Sequence, residues 1–182
     1  MANNYKVLKE EVISSPKNRK HQLVDATICI PKGKEVVWQY VKTRDVVTIV
    51  ALDNKNQVFC VRQWRPARKE YVWELPAGGI EVEQPTPEQV FQNANRELQE
   101  EIRHKASKME LLSAFSPTIH MACTYYVVLA RELESSPLPQ DADEGIEIKL
   151  LPFDEAFDLL VKKQLPSALT LIGMELAKHR LR

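Results

Sequence analysis

Glu97, Glu100 and Glu101 stand at i, i+3 and i+4 in the segment Arg96-Glu97-Leu98-Gln99-Glu100-Glu101, and this spacing is the strongest constraint in the chain. On a helix it puts three carboxylates on one face, where like charges repel by about 0.2–0.5 kcal/mol per pair. A helix is well signalled here. Thr86-Pro87-Glu88 offers an N-cap hydroxyl, a proline at the first helical position and an acid in the first turn. The pattern predicts a helix from there to about Arg103, with Arg103, His104 and Lys105 in the last turn against the negative end of the helix dipole. Two readings of the glutamates follow. One is a solvated acidic stripe, which the spacing alone favours. The other is a hard-cation site, since Mg²⁺ takes oxygen ligands and often uses a few carboxylates.

The rest of the chain mixes strand and helix signals without a regular βαβ repeat, which predicts an α+β sandwich. Leu23–Ile30 and Glu35–Lys42, separated by the turn signal Pro31-Lys32-Gly33-Lys34, read as a hairpin after the basic stretch Pro16-Lys17-Asn18-Arg19-Lys20. Residues 1–44 are thus expected to form an N-terminal antiparallel β subdomain and residues 45–182 the main domain. Val46–Leu52, the turn Asp53–Asn56 and Gln57–Gln63 suggest a second hairpin in the core sheet. Lys108–Phe115, Tyr125–Ala130 and Ile146–Pro152 read as strands, Pro137–Gly145 as a polar acidic loop, and Phe153–Lys163 and Ser167–Arg180 as helices.

Composition narrows the partners. With 182 residues and a hydrophobic share of 44%, the chain can bury one core. Lys plus Arg equals Asp plus Glu at 25 each, so no global field draws in a nucleic acid. The start lacks the apolar core of a signal peptide and no run is long enough to span a bilayer, so a cytoplasmic protein without membrane contact is expected. Cys29, Cys60 and Cys123 are odd in number, far apart and set in apolar runs, which predicts buried free thiols.

Upstream of the helix, Glu74-Leu75-Pro76-Ala77-Gly78-Gly79-Ile80-Glu81 carries a glycine pair that lets backbone approach a ligand closely. Joined to the downstream Arg-Glu-Leu-Gln-Glu-Glu, it resembles the Nudix box, the glycine loop and acidic helix of Nudix hydrolases. Val61-Arg62-Gln63-Trp64-Arg65-Pro66-Ala67, followed by Glu74-Leu75-Pro76-Ala77-Gly78, resembles the subgroup that cleaves ADP-ribose and related nucleoside diphosphate sugars. Ser116-Pro117 fits that subgroup's downstream Ser-Pro signal, and the likeness covers roughly residues 45–160.

The resemblance implies a Nudix-type α/β/α sandwich with a mixed central sheet, and a homodimer that exchanges its N-terminal sheet. It implies attack of water on a diphosphate, with Mg²⁺ as the metal and Mn²⁺ as the alternative, giving a nucleoside monophosphate and a sugar phosphate. Carried over by residue, Glu97, Glu100, Glu101 and the backbone carbonyl of Ala77 would hold the metal, and Arg96 would orient the glutamates. Arg65 would reach the substrate's phosphates, although a surface arginine at a strand end explains it equally, and Glu74 would contact the sugar or a second metal. The general base would come from the late acidic loop, with Glu144 first and Asp143 and Glu147 behind it.

The match departs from the family pattern in one stretch. Counting on from Gly78 to the first box glutamate reaches Gln84, whereas counting back from Arg96 reaches Glu88, so the first acid stays open between Glu83 and Glu88. Glu83, Glu88 and Glu100 are all candidate partners of Arg96, and the closing glycine is replaced by Arg103. Trp38, Tyr40 and Trp64 could stack on a base, but aromatics in strand-like runs read as core, and His120 reads as structural. Two other functions compete: the same chemistry on a dinucleotide or dinucleoside polyphosphate, and a nucleotide-binding sensor that kept the fold and lost catalysis.

Overall fold

The computed structural model describes residues 5–14, 21–140 and 145–181. Its contacts gather into two units, Met1–Arg44 with Ser116–Thr124, and Asp45–Phe115 with Tyr125–Arg182.

In the first unit β1 (Lys6–Ser14), β2 (His21–Cys29) and β3 (Glu35–Thr43) form an antiparallel meander, and the short β9 (Met121–Ala122) adds to β3 in parallel. The β2–β3 turn follows from its glycine: Gly33 takes φ +76°, its N–H donates to the Ile30 carbonyl at 2.8 Å, and the Ile30 N–H donates to Lys34 at 2.9 Å. Val24, Ala26 and Ile28 alternate inward on β2. β1 is exposed along its whole length, so it offered no buried alternation to read from sequence. Trp38 departs from the core reading: it is 53% exposed and packs against Tyr5 with ring centres 5.9 Å apart.

The second unit contains β4 (Val46–Ala51), β5 (Gln57–Arg65), β6 (Glu70–Glu74), β7 (Ala77–Gly79), α1 (Pro87–Glu101), β8 (His104–Phe115), β10 (Tyr125–Ser135) and β11 (Glu147–Pro152). It closes with α2 (Phe153–Phe157), which runs on as a π-helical turn over Asp158–Lys162, and α3 (Ala168–Leu181). Strand order is β7-β4-β10-β8 in one sheet and β11-β5-β6 in the other, with β4 and β10 parallel.

β4 and β5 are strands as the sequence predicts, but they do not make a hairpin. The Asp53 carboxylate accepts from the Lys55 and Gln57 N–H groups at 2.8 and 2.7 Å, and after this turn a single bridge, Leu52 to Val58, joins the two before each enters its own sheet. Both strands bury both faces, and each therefore takes its own neighbours. Val47, Ile49, Phe59 and Val61 pack into a cluster with Val90, Ala94 and Leu98 of α1. Val50, Leu52, Val58 and Cys60 pack into a second cluster with Leu160 and Met174. This unit is the expected α+β sandwich, with α1 on one side of the strands and α2 and α3 on the other.

Two further expectations change. Helix α1 ends at Glu101 with no basic residue in its last turn; Ile102 caps it and Arg103 turns back at φ +63°, because buried Ile102 and Ala106 draw the chain into β8. Cys60 is buried, whereas Cys29 and Cys123 are only half-buried. Among the described residues no helix is long and apolar enough to cross a membrane.

Candidate active site

Helix α1 starts where the sequence predicts. Thr86 accepts from the Gln89 N–H at 3.4 Å and the Gln89 side chain accepts from the Thr86 N–H at 2.9 Å, a reciprocal cap. From this start the core-facing stripe consists of Val90, Ala94, Glu97, Leu98 and Glu101. Two carboxylates therefore lie among apolar residues: Glu97 is 8% exposed and Glu101 2%. This rules out the solvated stripe for these two. A carboxylate so placed costs several kcal/mol unless hydrogen bonds or a cation offset its lost hydration.

The partners come from β5, β7 and the helix itself. Glu101 accepts from Gln63 Nε2 at 3.0 Å with one oxygen and from the Ala77 N–H at 3.2 Å with the other. Arg96 Nη1 donates to Glu100 at 2.7 Å, while Nη2 donates to Glu97 and to the Gly79 carbonyl. Burial works to lower the Arg96 pKa, but the carboxylates of Glu97 and Glu100 outweigh it, and the net shift is upward. Of its candidate partners Arg96 takes Glu100, and it takes Glu97 as well; Glu83 and Glu88 are exposed.

β7 pairs with β4, placing Ala77 against Thr48 and Gly78 against Val47. A Cβ built on Gly78 would lie 2.0 Å from the Glu97 carboxyl carbon, so only glycine lets the backbone come this close to the carboxylate. Carboxylate and backbone carbonyl oxygens are the donor types a hard divalent cation takes. Among the described residues no group of three or more His, Cys, Asp or Glu side chains is gathered as a metal site. Arg96 draws Glu97 and Glu100 to itself, while Glu101 faces β5 and β7.

On the neighbouring hairpin Arg65 Nε donates to Glu74 Oε2 at 2.5 Å, so the two residues expected to contact substrate are brought together. Glu147 pairs instead with Arg62 at 3.0 Å, and Asp143 and Glu144 lie outside the described residues. Trp64 is 49% exposed and packs edge-on against Tyr71, contrary to the core reading. Tyr40 donates its hydroxyl to Glu10 at 3.0 Å, Ser116 donates to the Thr118 carbonyl, and His120 is exposed with its carbonyl accepting from Val41. Sequence reasoning gave Gln63 no role. The signal was its parity: it follows Phe59 and Val61 on the inward face of β5.

The NUDIX domain family model matches residues 42–171, more than two thirds of the chain, and the chain belongs to that family. By class it is a Nudix pyrophosphohydrolase, in agreement with the box read from the sequence. Over 177 residues it is 27% identical to the methanol dehydrogenase activator of Bacillus methanolicus, covering 93% of this chain and 90% of that one. Over 176 residues it is 26% identical to the ADP-ribose pyrophosphatase of Bacillus subtilis (strain 168), covering 93% of both. The crystal structure of an ADP compounds hydrolase superposes with a TM-score of 0.83 at 20% identity, covering 97% of this chain and 94% of that one, which shows the shared fold.

Proposed function

We propose that the chain hydrolyses the diphosphate bond of ADP-ribose and related nucleoside diphosphate sugars, releasing a nucleoside monophosphate and a sugar phosphate, with Mg²⁺ as its metal and Mn²⁺ as the alternative. The observation that carries this is the burial of Glu97 and Glu101 on the core face of α1, with Glu97 set against a glycine whose missing side chain makes room for it. Similarity to the Bacillus subtilis pyrophosphatase across 93% of both chains supports the substrate class.

In this reading Glu97, Glu100, Glu101 and the Ala77 carbonyl hold the cation, which neutralises phosphate oxygens and activates water when bound. Arg96 holds Glu97 and Glu100 in place until the cation arrives. Arg65 offers the N–H groups not engaged by Glu74 to the diphosphate, and Glu74 is the proposed contact to the sugar or to a second metal. Glu144 is the proposed general base, with Asp143 and Glu147 behind it. The chain acts as a cytoplasmic homodimer joined through the first unit, whose exposed Val7, Val12, Val37 and Trp38 supply apolar surface. A monomer mass in sedimentation equilibrium at micromolar protein counts against the dimer.

The deciding experiment is release of AMP from ADP-ribose by the purified protein with Mg²⁺, abolished by EDTA and restored by added cation. Glu97→Gln and Glu101→Gln should each lower kcat on the order of 10²-fold or more. No release from ADP-ribose or from a panel of nucleoside diphosphate sugars overturns the reading. A second reading, a regulator that binds a nucleotide without turnover, is favoured by the similarity to the protein named as an activator. Tight nucleotide binding unchanged by Glu101→Gln, with no turnover, would select it.

A further inference from the structure

We propose that Gln63 is a positioning residue: its neutral side-chain amide fixes the orientation of the Glu101 carboxylate while leaving the negative charge for a divalent cation. This rests on the reading of Glu101 as a metal ligand.

Gln63 occupies a position that its strand otherwise fills with apolar side chains. Phe59 and Val61 share its face of β5 and belong to the core, and Gln63 itself is only 7% exposed. A buried amide without partners costs about 1–3 kcal/mol, so an apolar residue would be the simpler choice unless the amide has work there. Its Nε2 donates to Glu101 Oε1 at 3.0 Å, between residues 38 apart in the chain. Glu101 Oε2 accepts from the Ala77 N–H at 3.2 Å. One donor stands on β5 and the other on β7, so the carboxylate is held from two strands and its rotation is fixed.

The chemistry of these two donors matters more than their number. A lysine or arginine at position 63 would hold the carboxylate equally well and cancel its charge. An amide and a backbone N–H hold it without cancelling that charge, which keeps it attractive to a hard cation. Along the same helix face Arg96 gives Glu97 and Glu100 a charged donor, which shows the other way of holding a carboxylate. If Gln63 merely filled space, methionine, with a similar volume and no N–H donor, would serve as well.

The test measures Mn²⁺ binding to the full chain without nucleotide, by electron paramagnetic resonance of the free ion, beside thermal melting to confirm the fold. Gln63→Met should weaken Mn²⁺ about 10- to 100-fold. Gln63→Lys should weaken it comparably although it restores a donor, because its ammonium cancels the charge. Gln63→Asn is neutral and polar but one methylene short; it should also lose affinity, and it provides the comparison if the methionine variant does not fold. With Mg²⁺ and substrate, the rate lost in Gln63→Met should return as the cation concentration is raised. In the double variant, Gln63→Met should add little to the loss already caused by Glu101→Gln. Wild-type Mn²⁺ affinity in Gln63→Met, or fully additive losses, overturns the proposal. Wild-type affinity in Glu101→Gln removes the metal-ligand reading itself and is a separate result.

Discussion

Arg65 and Glu74 meet across the β5–β6 hairpin, Nε to Oε2 at 2.5 Å, with the arginine side chain 42% exposed and the glutamate 12%. One edge of the guanidinium is committed to the carboxylate, and its remaining N–H groups are available to an anion. A lysine cannot serve both, because it is a single point charge. Arg65→Lys is expected to raise KM for ADP-ribose about tenfold, with a smaller change in kcat. Its effect on unfolding stability should stay below about 1 kcal/mol, since the pair is partly exposed and screened. Steady-state kinetics at fixed Mg²⁺, together with urea denaturation, checks both; an unchanged KM would place the phosphates elsewhere.

Gly78 offers a cleaner separation of activity from stability. A methyl group there would stand 2.0 Å from the Glu97 carboxyl carbon and oxygen, and those atoms are the far end of a flexible side chain. Glu97 can move aside at small cost to the fold, but not while keeping its position. Gly78→Ala should therefore lower kcat/KM on the order of 10²-fold while shifting Tm by only a few degrees. Equal activity in the variant would show that the carboxylate's placement does not matter.

Arg103 closes α1 in the left-handed region, at φ +63°, where a side chain is strained. Arg103→Gly removes that strain and should stabilise the protein by up to about 1 kcal/mol, less the entropy that glycine adds to the unfolded chain. Denaturant midpoints of the two proteins decide it, and a destabilised variant would mean the arginine side chain holds a contact that outweighs the strain.

Cys60 links stability to alkaline pH. Burial pushes its thiol from the ordinary 9.0 up to about 12, with Lys149 pulling weakly the other way. The folded chain keeps a proton that the unfolded chain releases, so this group leaves stability unchanged below about pH 9 and lowers it above, by about 1.4 kcal/mol per pH unit up to the folded pKa. Comparing denaturation near pH 8 and near pH 10 should show this slope in the wild type and a smaller one in Cys60→Ala, which starts less stable because of its cavity. Equal slopes would remove Cys60 as the cause.

The legible parts of this chain were those with a local physical cause. Thr86 and Pro87 announce the start of α1 because capping is settled within one turn. Val46–Leu52 and Gln57–Gln63 announce strands because β-branched runs do. Their partners were not legible: an Asp-to-Asn turn between two apolar runs suggests a hairpin, and only the burial of both faces of both strands sends them into separate sheets. At the site, the glutamate spacing was readable and its burial was not. Spacing says which carboxylates share a face; whether that face meets water or β5 and β7 depends on tertiary packing. Gln63 went unread because its role lies 38 residues away, at Glu101.

The parallel pairing of β4 with β10, Val46 against Tyr125 through Ala51 against Ala130, also governs how the chain comes together in time. Parallel neighbours cannot be closed by a tight turn, and contacts between distant segments slow folding. As the chain emerges from a ribosome, α1 is complete while Val128 and Ala130, part of the cluster that buries it, are still to be made. A nascent or truncated chain ending before Tyr125 leaves β4 with an open strand edge and α1 with part of its apolar stripe uncovered, a combination that invites aggregation. The last third of the sequence supplies few of the residues assigned to chemistry, yet expression of shortened chains should fail for want of it.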